Sequence, residues 1–189
     1  MKNQDTSGRA GQHTRRGRAV FATLQMLAMM ASLGGLALLP GTAQAAGTLV
    51  SYPSGETGTI VVRTGERRLY LILGNHQALR YKVGVGRAGR QWAGNVQISG
   101  KYIRPNWAPP AAVKKDSPNL PDMIPGGSRH NPMGAAAMTL SGGEYAIHGT
   151  NKPKSIGGRV SYGCIRMYNE DITELFDKVS VGTPVIVLR

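Results

Sequence analysis

From Thr59 onward the apolar residues come in short runs, and glycine, proline or asparagine interrupts nearly all of them. A chain with 26 glycines and 11 prolines has little room for long helices, because both residues disfavour helix interiors. The runs themselves are rich in β-branched and aromatic residues: Ile60–Val62, Leu69–Leu73, Leu79–Val85, Val96–Ile98, Ala135–Leu140, Tyr145–His148 and Pro184–Leu188. They read as strands. Gly65-Glu66 and Gly74-Asn75 mark turns, so the first three runs form a meander. Only one segment of this region has a helix's period. Asn169 suits its N-cap, Glu170 and Asp171 its first turn, and Ile172, Leu175, Phe176 and Val179 fall on one face. The expected fold is mostly β, a sandwich or open barrel with one packed helix.

Polar and breaker-rich stretches divide the rest. Ala46 to Gly58 reads as a tether or loop. Arg104-Pro-Asn-Trp-Ala-Pro-Pro110 holds three prolines and suits neither a helix interior nor a central strand. Lys114 to Asn131 reads as one long loop, and loops of that length in small domains are functional or mobile. A groove wall is one such function.

The N-terminus has a different character. Lys2, Arg9, Arg15, Arg16 and Arg18 precede an apolar run from Ala19 to Leu39, then Pro40-Gly41 and Ala43-Gln44-Ala45. This is the order of an export signal with a small-x-small cleavage site, or, uncleaved, of a membrane anchor of ~20 residues. The expected organisation is a signal peptide or anchor at 1–45, a linker at 46–57 and one folded domain at 58–189, exported to the periplasm or cell envelope. Thr14-Arg15-Arg16 matches a twin-arginine signal only poorly.

The formal charge is +13, from 23 basic and 10 acidic residues. Five of the basic residues stand in the first eighteen positions, and the others are scattered singly apart from the pairs Arg67-Arg68 and Lys114-Lys115. No basic block or aromatic-interleaved stripe marks a nucleic-acid surface. The remaining charge reads either as a solvated surface or as attraction to an anionic polymer. There is no metal-ligand cluster, and Gly84-Val-Gly86 is not followed by a helical period as a phosphate loop would be. No metal or cofactor is expected.

Cys164 is the single cysteine. In an exported chain an odd cysteine is a reactive thiol or an intermolecular link; in a cytosolic one it is most often a small buried hydrophobe. It follows Gly163 in a strand-to-helix connection, where successive backbone N–H groups of Tyr162, Gly163 and Cys164 are natural donors to an oxyanion. His148, sixteen positions upstream, ends an alternating run and precedes Gly149. A lone histidine is usually structural. Placed beside the thiol, however, it would form an ion pair that lowers the thiol pKa.

Together, His148-Gly-Thr150 and Ser161-x-Gly-Cys-Ile-Arg-Met167 resemble the signature of the YkuD-type L,D-transpeptidases. The resemblance extends from about Gly58 to the C-terminus and includes Trp107-Ala-Pro-Pro110 and Asn131-Pro-Met-Gly134. It implies action on peptidoglycan stem peptides. The cysteine attacks the carbonyl of the third stem residue, expels the terminal D-alanine and forms a thioester. An amine of another stem, or of an envelope lipoprotein, then resolves the thioester. On this chain Cys164 is the implied nucleophile and His148 the base and later acid. Tyr162, Gly163 and Gly149 are the implied oxyanion and positioning residues, and Arg166, Ser161 and Thr150 the substrate contacts. Arg166 either forks a substrate carboxylate or braces its loop; Ser161, Thr150 or a backbone carbonyl orients His148. Many members carry a second histidine where this chain has Tyr162, which leaves His148 as the sole nearby imidazole. Two other readings are a papain-like cell-wall endopeptidase, whose Cys-before-His order is reversed here, and a non-catalytic envelope-binding module.

Overall fold

The computed structural model describes residues 47–189. The signal or anchor expected at 1–45 lies outside them. The strands of the first half are β1 (Thr48–Ser51), β2 (Ile60–Arg63), β3 (Arg68–Gly74), β4 (Gln77–Lys82), β5 (Val85–Gly86) and β6 (Gly94–Ile103). A short helix, α1 (Ala111–Asp116), precedes β7 (Ala136–Leu140) and β8 (Ala146–His148). A 3-10 turn at Pro153–Ser155, β9 (Arg159–Ser161), β10 (Ile165–Arg166), α2 (Asn169–Lys178) and β11 (Pro184–Leu188) complete the order. No helix of the described residues is long and apolar enough to cross a membrane.

Nine strands form one sheet in the order β1-β4-β3-β2-β11-β6-β7-β8-β10, and β5 pairs with β9 separately. The expected meander is present as β2, β3 and β4, all antiparallel. β6 joins the two halves of the sheet. Its first residues pair with β11 and its later ones with β7, with a register shift between Ile98 and Gly100. Such an irregularity bends a strand. The two halves enclose one core: Ile60, Val62, Leu69 and Leu71 on one side, Met138, Leu140 and Ile147 on the other. α2 packs Ile172 and Leu175, both fully buried, into that core. The fold is mostly β with two helices, one of them packed, as the apolar pattern required.

Four expectations need correcting. The supposed linker contains β1, which pairs antiparallel with β4 from Thr48↔Arg80 to Ser51↔Gln77. A run of four residues among breakers is too short to declare itself, and the open edge of β4 decides its state. Part of the region around the long loop is helical in α1, which is also too short to show a period. β6 runs well beyond Val96–Ile98, since Gly100 sits at its bend instead of ending it. Finally, Asn169 is the first residue of α2, not its cap; Tyr168 takes the cap position without a side-chain bond.

Candidate active site

The site follows from one parallel pairing. β10 runs beside β8 with Ile165 opposite Ile147 and Arg166 opposite His148. Side chains alternate along a strand, so Ile165 and Ile147 enter the core while Arg166 and His148 share the other face. Cys164, two residues before Arg166, falls on that same face. The pairing is pinned on both sides. Met167 N–H donates to His148 O at 2.8 Å, and Gly84 and Arg166 exchange two backbone bonds at 2.8 Å each.

His148 is buried. Its Nδ1 lies 2.7 Å from the carbonyl of Gly149, and an N–H there leaves Nε2 as an acceptor. A backbone carbonyl thus orients the ring. Burial, and then the Arg166 cation, pull its pKa down to about 4. At neutral pH the imidazole is uncharged.

Cys164 is half-buried. Its sulfur lies 4.0 Å from Glu144 O, and no hydrogen bond joins it to His148. Burial pushes the thiol above its ordinary range, while the Ala146 N–H and Arg166 oppose that shift. Both shifts run against the thiolate–imidazolium pair that an apposed thiol and imidazole would form, because burial disfavours the charged form of each.

The turn before Cys164 is braced by residues that the sequence did not mark for this role. Ser161 donates its hydroxyl to Cys164 O at 2.6 Å and accepts the Gly163 N–H at 3.1 Å. Trp92 donates its indole N–H to Gly163 O at 2.9 Å and stacks on Tyr145, with ring centroids 4.8 Å apart. Gly163 has φ +129°, and a Cβ there would overlap the Tyr145 ring. Only glycine fits both the conformation and the space. Because the peptide is planar and trans, tying Gly163 O to Trp92 turns the Cys164 N–H away from it. That N–H and the Tyr162 N–H have no acceptor among the described residues.

Several expected roles change accordingly. The Gly163 N–H is taken by Ser161, and the Gly149 N–H donates to Ala136 O at 3.0 Å, so neither is free for an oxyanion. Ser161 lines the cavity, but its buried hydroxyl is committed to the turn. Thr150 is buried outside the cavity lining, and its hydroxyl accepts from Lys152 N–H at 3.0 Å. Neither hydroxyl touches His148. The Tyr162 hydroxyl donates to Asp116 at 2.6 Å.

Asn169 is the residue that reading it as a helix cap concealed. Its Oδ1 accepts from Ala135 N–H and Thr150 N–H at 3.1 and 3.0 Å, and its Nδ2 donates to Thr150 O at 3.0 Å. One carboxamide ties the start of α2 to the exit of β8. Gly134 (φ +67°) leaves room for it, since a Cβ there would overlap Asn169 Oδ1.

Cys164, His148 and Arg166 open onto one cavity of ≈ 300 Å³. Arg166 joins none of the ion pairs found among the described residues, and its buried Nε has no partner. The facing wall comes from Trp107, Pro110, Ala112 and Val113, with Pro132 and Met133 at its base. The groove is therefore lined by residues flanking Lys114–Asn131, not by that loop itself. Asn131 anchors the base: its Nδ2 donates to the carbonyls of Pro105, Ile124 and Pro125 at 2.9, 3.2 and 3.1 Å. No group of three or more metal-binding side chains is found among the described residues.

Residues 57–187 match the family model YkuD, described as the L,D-transpeptidase catalytic domain. The chain belongs to the YkuD family. Its YkuD relatives include the protein named "Probable L,D-transpeptidase ErfK/SrfK" of Salmonella typhimurium, 43% identical over 136 residues, covering 68% of this chain and 43% of that one. Another is "Probable L,D-transpeptidase YbiS" of Escherichia coli, 40% identical over 133 residues, 67% of this chain and 43% of that one. The chain thus spans 43% of the length of these curated relatives. Among solved structures the fold resembles the catalytic domain of the Enterococcus faecium L,D-transpeptidase acylated by ertapenem. The TM-score is 0.53 at 21% identity, over 71% of this chain and 99% of that one. It also resembles L,D-transpeptidase 3 of Mycobacterium tuberculosis, with a TM-score of 0.54 at 15% identity, over 69% of this chain and 60% of that one.

Proposed function

We propose that this protein is an L,D-transpeptidase of peptidoglycan stem peptides, with Cys164 as nucleophile and His148 as base and then acid. The observation that carries this is the β8–β10 register, which sets Arg166 beside His148 and Cys164 on the same face of one cavity. Export with an N-terminal signal at 1–45 puts residues 58–189 in the periplasm or cell envelope as the catalytic domain.

Sulfur and imidazole start neutral, so the thiol proton passes to His148 Nε2 as sulfur attacks the carbonyl of the third stem residue. The carbonyl electrons move onto oxygen, and the N–H groups of Cys164 and Tyr162 supply the donors for that oxyanion. Collapse breaks the bond to the terminal D-alanine, whose nitrogen takes the proton back from His148. A thioester remains. An acceptor amine then attacks it and gives its proton to His148, and the returning proton regenerates the thiol. The acceptor belongs to a second stem or to an envelope lipoprotein. Desolvation keeps proton transfer and attack together, and the Arg166 cation beside both groups favours thiolate with neutral imidazole over the reverse assignment of charge. The unpaired Arg166 guanidinium also suits a substrate carboxylate, which it would fork.

The test is incubation with disaccharide-tetrapeptide and, separately, with a carbapenem, each followed by mass spectrometry. Release of D-alanine and a carbapenem adduct on Cys164, both lost in Cys164→Ser, are expected. Neither product from the folded protein would make the domain a non-catalytic envelope-binding module with an inert thiol.

A further inference from the structure

The cavity's outer wall is held by a contact with no part in the chemistry above. α1 supplies Ala112 and Val113 to the lining and has no buried residue. The segment leading into it is tied at its root, where Trp107 and Ile124 exchange backbone bonds at 2.9 and 2.8 Å and Asn131 fastens the base. Within the segment, Lys114 Nζ reaches Asp122 at 2.8 Å and the Leu120 carbonyl. At the far end, Asp116 Oδ2 accepts from Tyr162 Oη at 2.6 Å and from Arg87 at 2.7 Å. The Arg87 guanidinium also lies 4.1 Å from the centre of the Tyr162 ring. Tyr162 stands two residues before Cys164. The contact therefore joins the tip of the outer wall directly to the turn that carries the sulfur.

We infer that Tyr162, Asp116 and Arg87 form a latch that closes the α1 wall over Cys164, so that Tyr162 and Asp116 are positioning residues that govern how an acyl donor is held. The substrate role rests on the transpeptidase reading above; the latch itself does not. The phenol is turned outward to a carboxylate, and its hydroxyl proton is committed there, which leaves it no place in the proton relay. A closed wall presents Pro110, Ala112 and Val113 to the donor; an open one loses those contacts and uncovers the sulfur. Since Asp116 is exposed and Arg87 and Tyr162 are only half-buried, the latch is weak enough to open for substrate entry and product exit.

Asp116→Ala, Tyr162→Phe and the double variant test this with two readouts. One is the rate at which iodoacetamide alkylates Cys164, which needs no turnover. The other is KM and kcat for disaccharide-tetrapeptide. Each single variant is expected to raise both the alkylation rate and KM by roughly 2- to 10-fold, the scale of one lost solvent-accessible hydrogen bond or ion pair. The double variant should add nothing to the larger single effect, and Asp116→Ala should lower kcat less than it raises KM. Unchanged alkylation in Asp116→Ala, at an unchanged urea midpoint, would overturn the latch. So would a fall in kcat in Tyr162→Phe that Asp116→Ala does not share, because the phenol would then act in the chemistry. If the alkylation response appears but the wild type releases no D-alanine, the latch stands and the transpeptidase reading fails.

Discussion

The two walls of the Cys164 cavity are built in opposite ways. The inner wall, β8 and β10 with the turn before Cys164, is held by backbone ladders, a buried serine, an indole N–H and the Asn169 carboxamide. The outer wall is a short helix with no buried residue, fastened at its tip by an exposed aspartate and a half-buried tyrosine and arginine. Bonds shielded from water hold an atom in place; exposed ones are readily exchanged for water. The reacting atoms are thus fixed to the core while the substrate-facing surface is free to adjust. That division suits the proposed transpeptidation, which needs one thiol held accurately and two stem-peptide partners admitted in turn.

The sharpest challenge to this contrast is His148→Ala, which should cut kcat/KM for the tetrapeptide by ~10²–10⁴-fold while the protein stays folded. In the wild type, thiol alkylation should keep rising with pH past the ordinary thiol range, with no acid-side plateau, and turnover should show a normal solvent isotope effect. A plateau with an inverse effect would mean that the ion pair is already formed at rest.

Asn169→Ala comes next. It leaves the N–H groups of Ala135 and Thr150 without an acceptor and should destabilise the domain by about 2–4 kcal/mol, measured as a urea midpoint. A loss under ~0.5 kcal/mol would show the inner wall to be less dependent on this clamp than its bonds suggest.

Trp92→Phe retains an aromatic ring against Tyr145 but removes the donor to Gly163 O. About a 10-fold loss in kcat is expected, with stability changed by less than ~1 kcal/mol. If KM moves instead, the indole serves the substrate and not the turn.

The smallest effect concerns the helix beneath the inner wall. Asp171 is buried in α2, and burial, with Glu174 and Glu170 nearby, pushes its carboxyl up to about 7 from 3.8. The folded state then holds the proton more tightly than the unfolded chain. Stability should accordingly fall as pH rises from about 4 to about 7. Asp171→Asn should flatten that slope, as read from Tm against pH. An unaltered slope would assign the pH dependence to other groups.

The sequence was most informative where the physics is local or periodic. Short β-branched and aromatic runs between turn residues, and the 3.6-residue spacing of Ile172, Leu175 and Val179, foretold the meander and the packed helix. Cys164 and His148, which share one cavity, were likewise legible as candidates, because a lone cysteine beside Gly163 and a histidine at a strand end are chemically distinctive. What escaped depends on contacts distant in sequence. Trp92 reaches Gly163 across 71 positions and Tyr162 reaches Asp116 across 46, separations at which no local pattern points to a partner. The opposed pKa shifts of Cys164 and His148 also escaped, since they depend on burial and not on residue type. Asn169 shows a subtler failure. Its position beside a helix start fits a cap so well that its actual work, joining two other segments, left no trace in the local sequence.

The last strand of the described chain, β11, lies between β2 and β6 in the sheet, with Val185 opposite Ile60. Until Pro184–Leu188 emerges from the ribosome, β2 and β6 each present a bare hydrogen-bonding edge, and the two halves of the sheet have no strand between them. Such unpaired edges are open to pairing with a neighbour, and removing Pro184–Leu188 would take away the strand that joins β2 to β6.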